Sequence, residues 1–134
     1  MAKVLKINHI AIAVSDIEES LPFWQEALGV EMSHTEDVPT QKSRVGFLPI
    51  GESEVELVQP TAEDTGVARF IEKKGPGLHH LCLEVDDIEQ MIEQLLAKDI
   101  KMIDEKPHVL TGRKMAFVHP KSTGGVLVEL YEVI

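Results

Sequence analysis

One short pattern occurs twice in this chain, and its repetition limits the folds available more than any other feature. The stretch from His9 to Glu18 and the stretch from His80 to Glu89 share five residues at a constant offset of 71: His9 and His80, Val14 and Val85, Asp16 and Asp87, Ile17 and Ile88, Glu18 and Glu89. A second repeated string, Val55-Glu56-Leu57 and Val128-Glu129-Leu130, follows at an offset of 73. Each copy is an apolar run, then a helix-start signal, then more strands. The repetition predicts an α+β fold of two tandem βαβββ modules forming a concave eight-stranded mixed sheet. Module 1 covers about residues 1–74 and module 2 about 78–134, within a single domain of ordinary size for 134 residues.

The local signals fit this plan. Lys6 to Val14 reads as a strand with apolar residues on both faces. Ser15 and Asp16 cap a helix that the spacing carries to about Leu28, with Leu21, Trp24 and Leu28 as its buried stripe and Gly29 as its stop. A polar segment from His34 to Thr40 precedes two strands, Ser43–Pro49 and Ser53–Gln59, joined by a turn at Gly51 and Glu52. A helix over Gly66–Lys73 leads to Gly75-Pro76-Gly77, the punctuation between modules. The later half repeats the order with a strand at Leu78–Val85 and a helix striped by Ile88, Met91, Ile92, Leu95 and Leu96. Strands at Lys114–His119 and Gly125–Val133 follow. Short strands near Val30–His34 and Lys101–Ile103 would complete each module.

Composition narrows the function classes. A net charge of −10 argues against nucleic acid or an anionic membrane as partner, and no apolar run reaches the ~20 residues needed to cross a bilayer. The start of the chain is too short and polar for a signal peptide. The single cysteine, Cys82, excludes an internal disulfide, and a cytoplasmic location is expected.

The duplicated His and Glu positions are the candidate chemistry. A first-row divalent ion takes neutral imidazole and carboxylate donors that converge from separate parts of a fold. His9, Glu56, His80 and Glu129 provide two of each, leaving two octahedral positions for substrate oxygens and a Lewis acid for an enolate. A lone strand histidine is usually structural, so the weight rests on the repeat. It selects His80 over the adjacent His79 and leaves His34, His108 and His119 to loop or supporting roles. Gln59 is a rival donor, and Glu52 and Glu54 belong to a stretch that a solvated strand face would also explain. The Val-Glu-Leu match favours Glu56.

These residues resemble the vicinal oxygen chelate (glyoxalase I-like) superfamily, and within it the methylmalonyl-CoA epimerase family. The resemblance covers nearly the whole chain. Its most specific stretch is His119-Pro-Lys-Ser-Thr-Gly-Gly125, which runs on to Glu129 and Leu130. It implies a divalent metal cofactor (Co, Ni, Zn, Mn or Mg) held by His9, Glu56, His80 and Glu129. The implied reaction is inversion at C2 of an acyl-CoA substrate, methylmalonyl-CoA, in a homodimer. Inversion needs proton removal on one side and return on the other, so Glu129 is the candidate base and Glu56 a candidate partner. Some relatives carry a further glutamate on the third strand, where this chain has Val45. Arg113, Lys114, Lys121 and Ser122 are the candidate substrate contacts, the three cations toward CoA phosphates. Ligand histidines must be neutral to bind, so activity is expected to fall on acidification.

Three other readings share features with this one. A glyoxalase I would use the same four ligands on a glutathione hemithioacetal. An extradiol dioxygenase would use two histidines, one carboxylate and Fe(II). A small-molecule-binding or resistance protein of the same fold would lack a complete ligand set.

Overall fold

A computed structural model describes all residues from Met1 to Ile134. The first strand, β1 (Val4–Ala13), is followed by Asp16, whose carboxylate accepts from the Glu18 N–H at 2.8 Å and starts α1 (Ile17–Leu21). The strands β2 (His34–Val38), β3 (Ser43–Ile50) and β4 (Ser53–Pro60) follow, then α2 (Gly66–Lys74), capped by Thr65. The later half runs β5 (Gly77–Val85), α3 (Ile88–Ala97), β6 (His108–Leu110), β7 (Arg113–Val118) and β8 (Val128–Val133). Asp87 caps α3 as Asp16 caps α1, its carboxylate accepting from the Gln90 N–H at 3.0 Å. No helix is long and apolar enough to cross a membrane.

Residues 9–79 pack as one compact unit, and residues 1–8 with 80–134 as another. In the first unit the strand order is β2-β3-β4-β1, with β1 parallel to β4 and the other pairs antiparallel. The second unit has the order β5-β8-β7-β6, with β5 parallel to β8 and the other pairs antiparallel. The same ladder has been built twice.

Burial follows the alternation of side chains along each strand. In the first unit Val14, Ile17, Leu48, Val55 and Leu57 form a core between sheet and helix, joined by Ile12, Trp24, Val30 and Met32. The opposite face carries a smaller cluster of Ala11, Val45 and Val58, against which Val67 of α2 packs. The second unit buries Val85, Ile88, Met91, Ile92, Ala116, Val118 and Leu130 together, with Ala2 among them. Gly46 lets α1 approach β3, because a Cβ there would stand 2.9 Å from the Met32 sulfur and 3.2 Å from Ile17 Cγ2.

A twin tether fixes each helix to its sheet. The Gln59 carboxamide accepts from the buried Ile17 N–H at 2.8 Å, and the Glu132 carboxylate accepts from the Ile88 N–H at 2.7 Å. Gln59 thus stands to the first module as Glu132 stands to the second.

Several expected boundaries are corrected. The first helix is not regular through Leu28. After α1 the chain takes a wider turn over Pro22–Ala27, with the Leu28 N–H on the Phe23 carbonyl at 3.0 Å. Pro22 has no N–H to offer the preceding turn, and widening accommodates its ring. Leu28 is consequently 55% exposed and leaves the stripe, which ends at Trp24. The strand expected at Val30–His34 begins only at His34 and occupies the polar segment instead. Residues Lys101–Ile103 make a single bridge, Met102 to Val118, and the outer strand of the later half is β6. Leu96, assigned to the α3 stripe, is partly exposed on the rim of a groove of about 270 Å³ with Ile92 and Pro107.

Candidate metal and proton-transfer site

Strand register brings the first module's candidates together. Ala11 lies beside Glu56 across the parallel pair, and Phe47 lies opposite Glu56 across the antiparallel pair. Lateral neighbours share a face, so His9, Ala11, Phe47 and Glu56 point the same way. His9 is buried, and its Nδ1 stands 3.1 Å from Glu56 Oε2.

The second module repeats this arrangement. Cys82 lies beside Glu129 and Phe117 lies opposite it. His80 shares their face, with Nε2 at 2.9 Å from Glu129 Oε1 and its ring edge-on to Phe117 at 5.6 Å. Glu129 is only 6% exposed, a burial that a carboxylate tolerates when paired.

Both pairs fit a divalent ion. Donors on adjacent octahedral positions, each about 2.1 Å from a metal, lie about 3 Å from one another. The two imidazole–carboxylate separations match that spacing, and the donor set of nitrogen and oxygen suits first-row metals.

The remaining sequence candidates fall in varied places. The Gln59 carboxamide oxygen is engaged by Ile17, on the strand face opposite to Glu56. His79 packs its ring against Phe70 at 5.0 Å. His108 bonds to Asp104 at 3.0 Å, and His119 Nδ1 accepts from the Lys121 N–H at 3.0 Å. Val45 is buried beside Ala11 and Val58, so its place on the site face is apolar. Lys114 donates to Glu89 at 2.6 Å, a bond that lowers the pKa of Glu89 and raises that of Lys114. The Arg113 guanidinium lies 6.0 Å from the Tyr131 ring centre. The Ser122 hydroxyl accepts from the Lys101 N–H at 2.9 Å, while Lys121 is exposed. Cys82 was not selected from sequence as a site residue, yet it is fully buried in register with Glu129. The only signal was the alternation that puts His80 and Cys82 on one face.

Residues 8–117 match the Glyoxalase/Bleomycin resistance protein/Dioxygenase superfamily. The chain belongs to that superfamily. Among its members, human mitochondrial methylmalonyl-CoA epimerase is 38% identical over 127 residues, covering 93% of this chain and 72% of that protein. The ethylmalonyl-CoA/methylmalonyl-CoA epimerase of Cereibacter sphaeroides is 34% identical over 96% of this chain and 98% of its own length. A superfamily structure, a Streptomyces coelicolor methylmalonyl-CoA epimerase variant in complex with 2-nitronate-propionyl-CoA, superposes with a TM-score of 0.88. It is 30% identical over 98% of this chain and 96% of that one. The α+β fold of repeated modules expected from the sequence is thus the fold of this superfamily.

Proposed function

We propose that the protein is a methylmalonyl-CoA epimerase that inverts C2 of its acyl-CoA substrate. The observation that carries this reading is similarity over 93% or more of this chain, at 34% identity or above, to proteins named as methylmalonyl-CoA or ethylmalonyl-CoA/methylmalonyl-CoA epimerases. The paired histidines and glutamates give it a chemistry. In this reading His9, Glu56, His80 and Glu129 hold one divalent ion, and the two modules act as a single domain. A homodimer and a cytoplasmic location belong to the same proposal.

When bound, the ion supplies Lewis-acid stabilisation to negative charge that develops on substrate oxygens. The protein's own groups do the rest. The C2 proton lies between a thioester and a carboxylate, which makes it acidic enough for a carboxylate base. Glu129 serves one side of C2, and its buried pairing with His80 keeps it oriented. Glu56 is oriented by His9 in the same way. Lys121, Arg113 and Lys114 are the cations assigned to the CoA phosphates and Ser122 a polar contact; Lys114 must first leave Glu89 to act there.

The test is to incubate metal-loaded protein with one methylmalonyl-CoA epimer in deuterated water and follow C2 by NMR. Deuterium incorporation with inversion is expected, and Glu129→Gln is expected to lower inversion by roughly 100-fold or more. Turnover of a methylglyoxal–glutathione adduct, without inversion of the acyl-CoA, would move the protein to glyoxalase.

A further inference from the structure

Within the unit that carries His80 and Glu129, one stretch of β7 is held by a side chain rather than by a neighbouring strand. β6 pairs with β7 only from Arg113 to Met115. Farther along, at Phe117, its place is taken by the turn at Ile103 and Asp104. The Phe117 carbonyl accepts from the Ile103 N–H at 3.0 Å and from the Asp104 N–H at 3.2 Å. That turn offers two donors to one carbonyl, so the Phe117 N–H needs its acceptor from elsewhere. Asp104 supplies it, with Oδ2 accepting at 2.9 Å. The other carboxylate oxygen, Oδ1, lies 3.0 Å from His108 Nε2, which steadies the side chain from the solvent side.

This clamp decides how Phe117 meets the site. Both of its backbone polar groups turn outward to the 103–104 segment, away from β8. In an antiparallel ladder such a residue faces its partner as a non-hydrogen-bonded pair, with Cα atoms about 4.5 Å apart instead of about 5.5 Å and the side chains closest. The partner of Phe117 is Glu129. The Phe117 ring therefore stands beside that carboxylate and meets the His80 imidazole edge-on, with centroids 5.6 Å apart and planes 88° from parallel. His80 Nε2 in turn lies 2.9 Å from Glu129 Oε1. One side chain, Asp104, thus fixes the backbone behind the ring against which His80 packs.

We infer that Asp104 is a positioning residue for the His80–Glu129 pair, acting through Phe117. The inference rests on the reading of that pair as metal ligands. A divalent ion is held tightly only when its donors are already aimed, and losing a group that orients a ligand typically costs 10–100-fold in metal affinity. Without the Asp104 carboxylate the Phe117 N–H loses its acceptor, and the narrow register at Phe117 and Glu129 loses its outer support. The ring is then free to shift, and the imidazole that it braces shifts with it. His108 is exposed and touches only the far oxygen of Asp104, so its contribution is the smaller one.

The experiment measures Co(II) affinity by competition with a chelator, at a temperature where circular dichroism shows every variant folded. Asp104→Ala is expected to bind Co(II) about tenfold more weakly than wild type. Asp104→Asn keeps an oxygen acceptor for the Phe117 N–H and is expected to stay within about threefold of wild type. Phe117→Leu keeps the clamp and removes the ring, and is expected to lose about tenfold as well. The double variant Asp104→Ala with Phe117→Leu is then no weaker than Phe117→Leu alone, because both changes act along one route. A clamp that served stability alone would lower the melting temperature of Asp104→Ala and leave its Co(II) affinity at the wild-type value, which overturns the inference. So would an Asp104→Asn protein as weak as Asp104→Ala, or a double variant in which the two losses add. If Asp104→Ala does not fold, Phe117→Leu decides, and unchanged affinity there overturns the inference. Wild-type protein that binds no Co(II) would remove the metal-ligand reading and this inference with it. Wild-type binding without loss in Asp104→Ala removes only the role of Asp104.

Discussion

At the scale of single residues, the repeat carried more information than residue type. Six histidines and many glutamates offered numerous pairings, and the two repeated strings, offset by 71 and 73, selected His9, Glu56, His80 and Glu129. Within each module the chosen pair lies at hydrogen-bonding distance, 3.1 Å and 2.9 Å. What the offset could not reveal were residues without a twin. Cys82 corresponds to Ala11, which carries no donor, so it escaped notice as a site residue. The Lys114–Glu89 bond was hidden as well, since it joins residues 25 apart on different elements. It makes a pH prediction with a definite sign. The carboxyl of Glu89 is held below its ordinary range by the Lys114 bond, so its contribution is present at neutral pH. That contribution is lost as the pH falls through the depressed value. The raised Lys114 adds the opposite limb, lost only as the pH climbs through its elevated value in strong alkali. Because the pair is solvent-exposed, the melting-temperature difference between wild type and Glu89→Gln should be small at pH 7. It should shrink further in salt and vanish in acid. A difference that grows on acidification would contradict this account.

At the scale of elements, strands with apolar alternation were legible and edge strands were not. The segments that became β3, β4, β5 and β8 show the period-two pattern of half-buried strands. β2 reads His-Thr-Glu-Asp-Val, and β6 has three residues, all exposed. Each lies at the outer end of its ladder; polar side chains discourage further pairing and erase the apolar signal in β2, while β6, His-Val-Leu, is too short to show a period. The break in the first helix was legible in principle, since Pro22 follows the five residues of α1 at a place where a regular helix needs another N–H. The twin tethers give the prediction at this scale. Gln59→Ala leaves the buried Ile17 N–H without its acceptor, and Glu132→Ala does the same at Ile88. Each should cost about 1–3 kcal/mol in urea unfolding, the penalty of an unsatisfied buried donor. A Gln59→Ala protein as stable as wild type would mean that water replaces the carboxamide.

At the scale of the whole molecule, the duplicated modules and the superfamily could be read from sequence because strand, cap and helix recur in order. The partition of the chain was less visible. Residues 1–8 pack with 80–134, held by the Lys3 N–H on Asp86 at 2.8 Å and by Ala2 in that unit's core. Those are long-range contacts of a short segment, and nothing in the local pattern announces them. One feature of the later module has a practical consequence. Its sole thiol is sealed inside β5, in register with Glu129, so a soluble disulfide reagent reaches it only when that strand comes apart. Labelling should therefore be slow in the native protein and accelerate steeply in denaturant, with fast native labelling contradicting the burial. The molecule carries its own stopwatch for the opening of the ladder that bears its carboxylate.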